Sequence, residues 1–177
     1  MSLINAQPPL DAEALAKAEA RLGVSLPESY RRLLRQHNGA RLTGYAFGYD
    51  PDLAPQGYDP SQDGIEVSEL FGIGVAQAGP GNLLDLGWAC HQLLAESGRH
   101  LPPEWIWIGR TEHDDELFLA VEGPLSGAVF LLYARDEFFE EDFEALFDAQ
   151  GRLAFPEELM ISHDIARFWH GAVRKDG

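Results

Sequence analysis

Residues 22–39, LGVSLPESYRRLLRQHNG, decide how the chain begins to fold. Gly23 is placed to end one helix, because glycine adopts the left-handed conformation of a C-terminal cap without strain. Pro27 suits the first position of the next, where its missing N–H costs nothing. Tyr30, Leu33, Leu34 and His37 then recur at helical spacing and predict one apolar stripe. Asn38-Gly39 supplies a left-handed stop. Reading back from Gly23, Asp11 can cap a helix running to Leu22, with Glu13 and Lys17 as an i,i+4 pair and Leu15 and Leu22 on one face. Two helices joined by so short a link predict a helical hairpin.

Outward from the hairpin the pattern changes. Residues 42–49 (LTGYAFGY) predict a strand, and 50–64 (DPDLAPQGYDPSQDG) predict a loop rich in Pro, Gly and Asp. Further strands are expected near 65–73, at Trp105–Ile108, at Leu117–Val121 and at Ala128–Ala134, the last two joined by a hairpin through EGPLSG. Successive strands without intervening helices argue for an antiparallel meander. Leu83, Leu86, Cys90 and Leu93 predict an amphipathic helix over Asn82–Ser97. Phe139, Phe143 and Phe147 predict another over Asp136–Asp148, with acids on its other faces. A final helix is expected from Ser162 as its cap, burying Ile165, Phe168, Trp169 and Ala172, with Arg174 and Lys175 complementing the dipole at its end. The class is α+β, one domain over residues 1–177.

Composition narrows the function. The 177 residues are 45% hydrophobic and carry a net charge of −16, with a single cysteine, Cys90, so an internal disulfide is impossible. The imbalance is uneven. Residues 1–41 hold six bases and four acids, whereas Leu42 to Gly98 hold eight acids and no Lys or Arg. Such a field repels phosphate backbones and anionic membranes and attracts cationic partners. Direct nucleic-acid binding and membrane binding are therefore not expected. The longest apolar run, Ala128–Ala134, is too short to span a bilayer. The opening MSLINAQPPLDAE has no basic start followed by an apolar block, so the expected location is cytoplasmic.

No motif carries catalytic chemistry. His163 and His170 lie seven residues apart, too far along a helix to share one metal. His113-Asp114-Asp115-Glu116 has cation-binding residue types but falls between two strands, where a polar hairpin is the ordinary explanation. Asp50-x-Asp52 and Asp59…Asp63-Gly64 are similar to a calcium loop, but Ala54 and Pro55 break the ligand spacing. Gly123-Pro-Leu-Ser126-Gly127 misses the nucleophile elbow by one residue. Ser162-His163-Asp164 holds three triad residue types, but sequence adjacency says little about a triad, which is assembled in space. Gly72-x-Gly74 and Gly79-Pro-Gly81 lack the third glycine and the following Lys of a phosphate loop. Neither catalytic, cofactor-binding nor metal-binding residues are assigned, and no cofactor is expected.

The run from Leu22 to Leu34 followed by His37-Asn38-Gly39 resembles the opening of the SUKH superfamily, which includes fungal cell-wall-assembly regulators and many bacterial toxin-immunity proteins. Leu101-Pro102 before Trp105-Ile106-Trp107-Ile108-Gly109 resembles its next strand, and Gly127-Ala128-Val129-Phe130 a later one. Ser162-His163-Asp164-Ile165-Ala166-Arg167-Phe168-Trp169 resembles its closing helix, with His163 where the family has Phe. The resemblance spans about residues 10 to 172. It implies an antiparallel-dominated sheet of about five or six strands, with an N-terminal helical hairpin and a C-terminal helix. In that frame Leu26, Pro27, Tyr30, Asn38 and Gly39 are structural.

What the resemblance implies for function is a non-enzymatic protein-binding module, foremost a bacterial immunity protein that neutralises a cognate cationic toxin domain, a nuclease among the expected kinds. A regulatory or scaffold protein for another cytoplasmic partner is the alternative, and a metal-dependent hydrolase built on His113 stands behind both. Glu137, Glu140, Glu141 and Glu144, displaced from the Phe face of their helix, together with Asp114, Asp115 and Glu116 in a hairpin loop, are the expected partner-binding acids. All should be exposed, since an unpaired buried carboxylate is costly.

Overall fold

The computed structural model describes residues 3–4, 7–73, 99–132, 145–154 and 157–175. The expected helices over Asn82–Ser97 and most of Asp136–Asp148, with Cys90, lie outside the described residues. Helix α1 (Ala12–Leu22) starts where the sequence places it: the Asp11 carboxylate accepts from Ala14 N, and Gly23 closes the helix at φ 74°. Helix α2 (Glu28–Gln36) takes Pro27 as its N-cap, one position earlier than expected, at φ −55°. The Glu19 carboxylate fastens the two together. It accepts the Leu26 amide at 2.7 Å and the Arg31 guanidinium at 2.6 and 2.9 Å, so one α1 side chain fixes both the entry to α2 and its first turn.

Among the described residues a seven-stranded sheet follows, in the order β1-β2-β4-β5-β6-β7-β8, with every ladder antiparallel. Its strands are β1 (Leu3–Ile4), β2 (Ala40–Leu42), β4 (Val67–Leu70), β5 (Trp105–Thr111), β6 (Glu116–Ala120), β7 (Val129–Leu132) and β8 (Met160–Ser162). The expected α+β architecture is present, with a two-residue seventh strand added at the β1 edge. Helix α3 (Ile165–His170) packs against α2 and buries Ile165, Phe168 and Trp169, as expected; Ala172 is half-buried.

Both faces of the sheet are covered, and alternate residues divide between them. Leu117, Leu119, Val129, Leu131, Ile106 and Ile108 join Tyr30, Leu33, Leu34 and Phe168 in one core. Phe118, Phe130, Leu132 and Met160 face the other way, against Leu101, Leu146 and Leu153. Two buried faces explain why β7 lies in an unbroken apolar run instead of an alternating one. Trp105 and Trp107 remain half-buried, packing edge-on against Phe130 and Phe71 at 4.8 and 5.0 Å.

Several expectations are corrected. The strand over 42–49 is two strands in different sheets: Gly44, at φ 72°, turns the chain out of β2 into β3 (Tyr45–Ala46). Strand β3 pairs with β9 (Val173–Arg174), so Arg174 and Lys175 belong to a sheet edge and not to the end of a helix. Ser162 ends β8 instead of capping α3; Asp164 is the cap, accepting from Ala166 N. At the end of the expected Asp136–Asp148 helix the chain turns at Ala145–Leu146, and Phe147 bridges to Leu153.

Helix α2 ends on His37 in extended conformation, so Asn38-Gly39 is not the helix stop expected of it, and its contacts are tertiary. Gly39 stands at φ 74°, and a Cβ there would meet the backbone of Gly72 at 2.5 Å. The buried Asn38 amide donates to the Ile73 carbonyl and accepts the Ile73 N–H, both at 2.8 Å, substituting for a strand partner.

Candidate functional site

Strands β5 and β6 are joined by a hairpin whose geometry comes from two residues. The Thr111 hydroxyl accepts from the amides of His113 and Asp115, both at 3.1 Å, and donates to the Asp115 carboxylate at 2.9 Å. Asp114 at the tip adopts φ 63°, a conformation that Asp tolerates better than most residues. The hairpin forms one wall of an open pocket of about 280 Å³, with Tyr49, Asp63, Glu66, Thr111, His113 and Asp115 among its lining. Asp63 is exposed and Glu66 half-exposed. The Lys175 ammonium beside Glu66 holds its carboxyl below the usual carboxylate range. Three carboxylates thus line the pocket, with Glu66 held by Lys175, Asp115 by Thr111, and Asp63 the exposed one.

The expected partner-binding acids divide three ways. Glu137, Glu140, Glu141 and Glu144 lie outside the described residues. Asp114 is exposed at the hairpin tip, as expected. Asp115 and Glu116 are not exposed. Asp115 is buried because its carboxylate takes the Thr111 hydroxyl and closes the turn, and Glu116 is half-buried because it already belongs to β6, opposite Arg110. The Asp59…Asp63 acids do not gather around a common point either. Asp59 is spent on its own turn, accepting from Ser61 and Gln62, and this holds its carboxyl below the usual range.

A second junction was not legible as a unit in the sequence. Asp50 leaves the β3 segment and is buried against β8. Its amide donates to the Ile161 carbonyl at 2.9 Å, and its Oδ2 accepts the His163 amide at 2.8 Å and lies 3.2 Å from the Ser162 hydroxyl, which also reaches the Asp164 carbonyl at 3.0 Å. Asp52, on the following turn, meets His163 Nε2 through its Oδ2 at 2.9 Å, and that hydrogen bond holds its carboxyl below the usual range. Arg167 stands 3.8 Å from Asp50 Oδ2. The signals were present separately, as Asp50-x-Asp52 and as Ser162-His163-Asp164, more than a hundred positions apart. Only the antiparallel return of β8 beside the loop joins them.

Among the described residues no helix is long and apolar enough to cross a membrane. In comparison with known proteins, the family model described as SMI1 / KNR4 family (SUKH-1) matches residues 9–151. No curated protein and no solved structure matches the chain.

Proposed function

The chain belongs to the SMI1/KNR4 (SUKH-1) family, and from that premise we propose that it is a non-catalytic, cytoplasmic protein-binding module that neutralises a basic toxin domain by direct contact. The observation that carries this reading is the family match over most of the chain, which is consistent with an immunity or regulator-like protein. Charge supplies the sign of the partner. A net −16, with no Lys or Arg between Leu42 and Gly98, steers cationic surfaces toward the chain. Asp114 at the hairpin tip and the exposed Asp63 in the lining of the neighbouring pocket offer charge-assisted hydrogen bonds to Lys or Arg. Glu137, Glu140, Glu141 and Glu144 are proposed to extend the same acidic surface.

The test begins with the product of the neighbouring open reading frame, purified and mixed with the chain. A stoichiometric complex that abolishes the toxic activity is the expected result. Its association rate should fall by about tenfold or more between low and high salt, as for an electrostatically steered encounter. The variant carrying Glu140→Lys, Glu141→Lys and Glu144→Lys should lose affinity at unchanged melting temperature. Undiminished inhibition by that variant would remove these three acids from the interface. Failure to form any complex, with the toxin still active, would remove the immunity reading and leave the regulatory one.

A further inference from the structure

The 50–52 turn and the segment after β8 bring an imidazole and two carboxylates to one point. One ligand atom each from Asp50, Asp52 and His163 lies within 4.8 Å of the others. We propose that these three residues form a binding site for one divalent transition-metal ion of the zinc class, an ion that staples the 50–64 loop to the β8–α3 connection.

Three features of the geometry carry this. First, the donor set is mixed. One imidazole nitrogen with two carboxylates suits zinc, cobalt or nickel, whereas calcium and magnesium take oxygen almost exclusively. Second, the spacing is within reach of coordination. Ligand atoms about 2.1 Å from a tetrahedral ion lie roughly 3.4 Å apart, so the observed spread needs to contract by little more than 1 Å. The two side chains that would move, Asp52 and His163, are the exposed ones, with 69% and 40% of their surface accessible.

Third, the anchor is already oriented. Asp50 is buried, and the hydrogen bonds from Ser162 and the His163 amide both fall on its Oδ2, as does the approach of Arg167. That arrangement holds the carboxylate in place through one oxygen, the role that outer-shell hydrogen bonds play around metal ligands. The local charge agrees. The Asp50 carboxylate has the exposed Arg167 guanidinium at 3.8 Å, which can swing outward when an ion of charge +2 enters. Coordination at His163 Nε2 replaces its hydrogen bond to Asp52, and the proton on that ring nitrogen leaves to solvent or moves to Nδ1.

The experiment uses the full chain, stripped with chelator and titrated calorimetrically with ZnCl2. CoCl2 serves as a spectroscopic probe of nitrogen and oxygen ligation, and CaCl2 and MgCl2 are added separately. The expected result is one zinc per chain and a raised melting temperature, with neither calcium nor magnesium reproducing them. His163→Ala and Asp52→Asn, both at exposed positions, should each weaken zinc binding by at least about tenfold while the circular-dichroism spectrum is unchanged. His113→Ala should bind zinc as the native chain does. No saturable zinc binding would overturn the proposal. So would native-like binding in either of the first two variants, or its loss in His113→Ala.

Discussion

At the scale of single residues, polar side chains do work that the backbone leaves undone. Asn38 is the clearest case. Its buried amide pairs both backbone groups of Ile73, so Asn38→Ala strips a partner from one donor and one acceptor at once. A buried polar group left unsatisfied costs about 1–3 kcal/mol, and Asn38→Ala is expected to lose about 2–4 kcal/mol in urea unfolding, among the larger effects of any polar truncation here. His37 sits next to it, half-buried, with its ring 5.4 Å from Trp169. Burial lowers its pKa below the ordinary 6.5. The unfolded chain then takes up the proton first, so stability is full above about pH 7 and is lost as pH falls through 6.5. Melting temperature measured from pH 7.5 to 5.5 should decline less steeply in His37→Gln than in the native chain. Equal slopes would show that this imidazole does not contribute.

At the scale of elements, the β5–β6 hairpin depends on one hydroxyl. Thr111 accepts two amides and donates to a buried carboxylate, so Thr111→Val keeps the shape and β propensity but leaves Asp115 buried without that donor. The expected loss is about 1–3 kcal/mol in chemical denaturation, with hydrogen exchange accelerated at His113 and Asp115 before the rest of the sheet. Strands β2, β4 and β5 are tied in a similar way. The buried Glu69 carboxylate on β4 receives the Arg110 guanidinium of β5 at 2.7 Å and lies 3.7 Å from Arg41 of β2. Because Arg110 and Arg41 reach solvent, this is a buried acid served by exposed bases, which avoids the full desolvation of a buried pair. The same scale shows why some elements were readable and others were not. Helix α1 has its cap, its glycine stop and its apolar face within a dozen residues, and β5–β7 are long or strongly apolar. Strands β1, β3, β8 and β9 are two or three residues each, too short for periodicity to register, and they exist because a neighbour offers hydrogen bonds.

At the scale of the whole molecule, charge and topology separate. The excess of acids is written in the composition and predicts the sign of any partner whatever the fold. Which acids stand at the surface is not. Asp114, Asp115 and Glu116 are adjacent in sequence, yet one points to solvent, one closes a turn and one enters a strand. The sequence by itself determined the helical hairpin, the antiparallel meander and the family, because each rests on caps, spacing or turn residues acting within a few positions. Only the tertiary structure decided where β8 returns, that Ser162 serves Asp50 instead of capping a helix, and that His163 meets Asp52. Those contacts join residues 111 to 113 positions apart. No local preference encodes such a pairing; it follows from the sheet order that burial of both faces imposes.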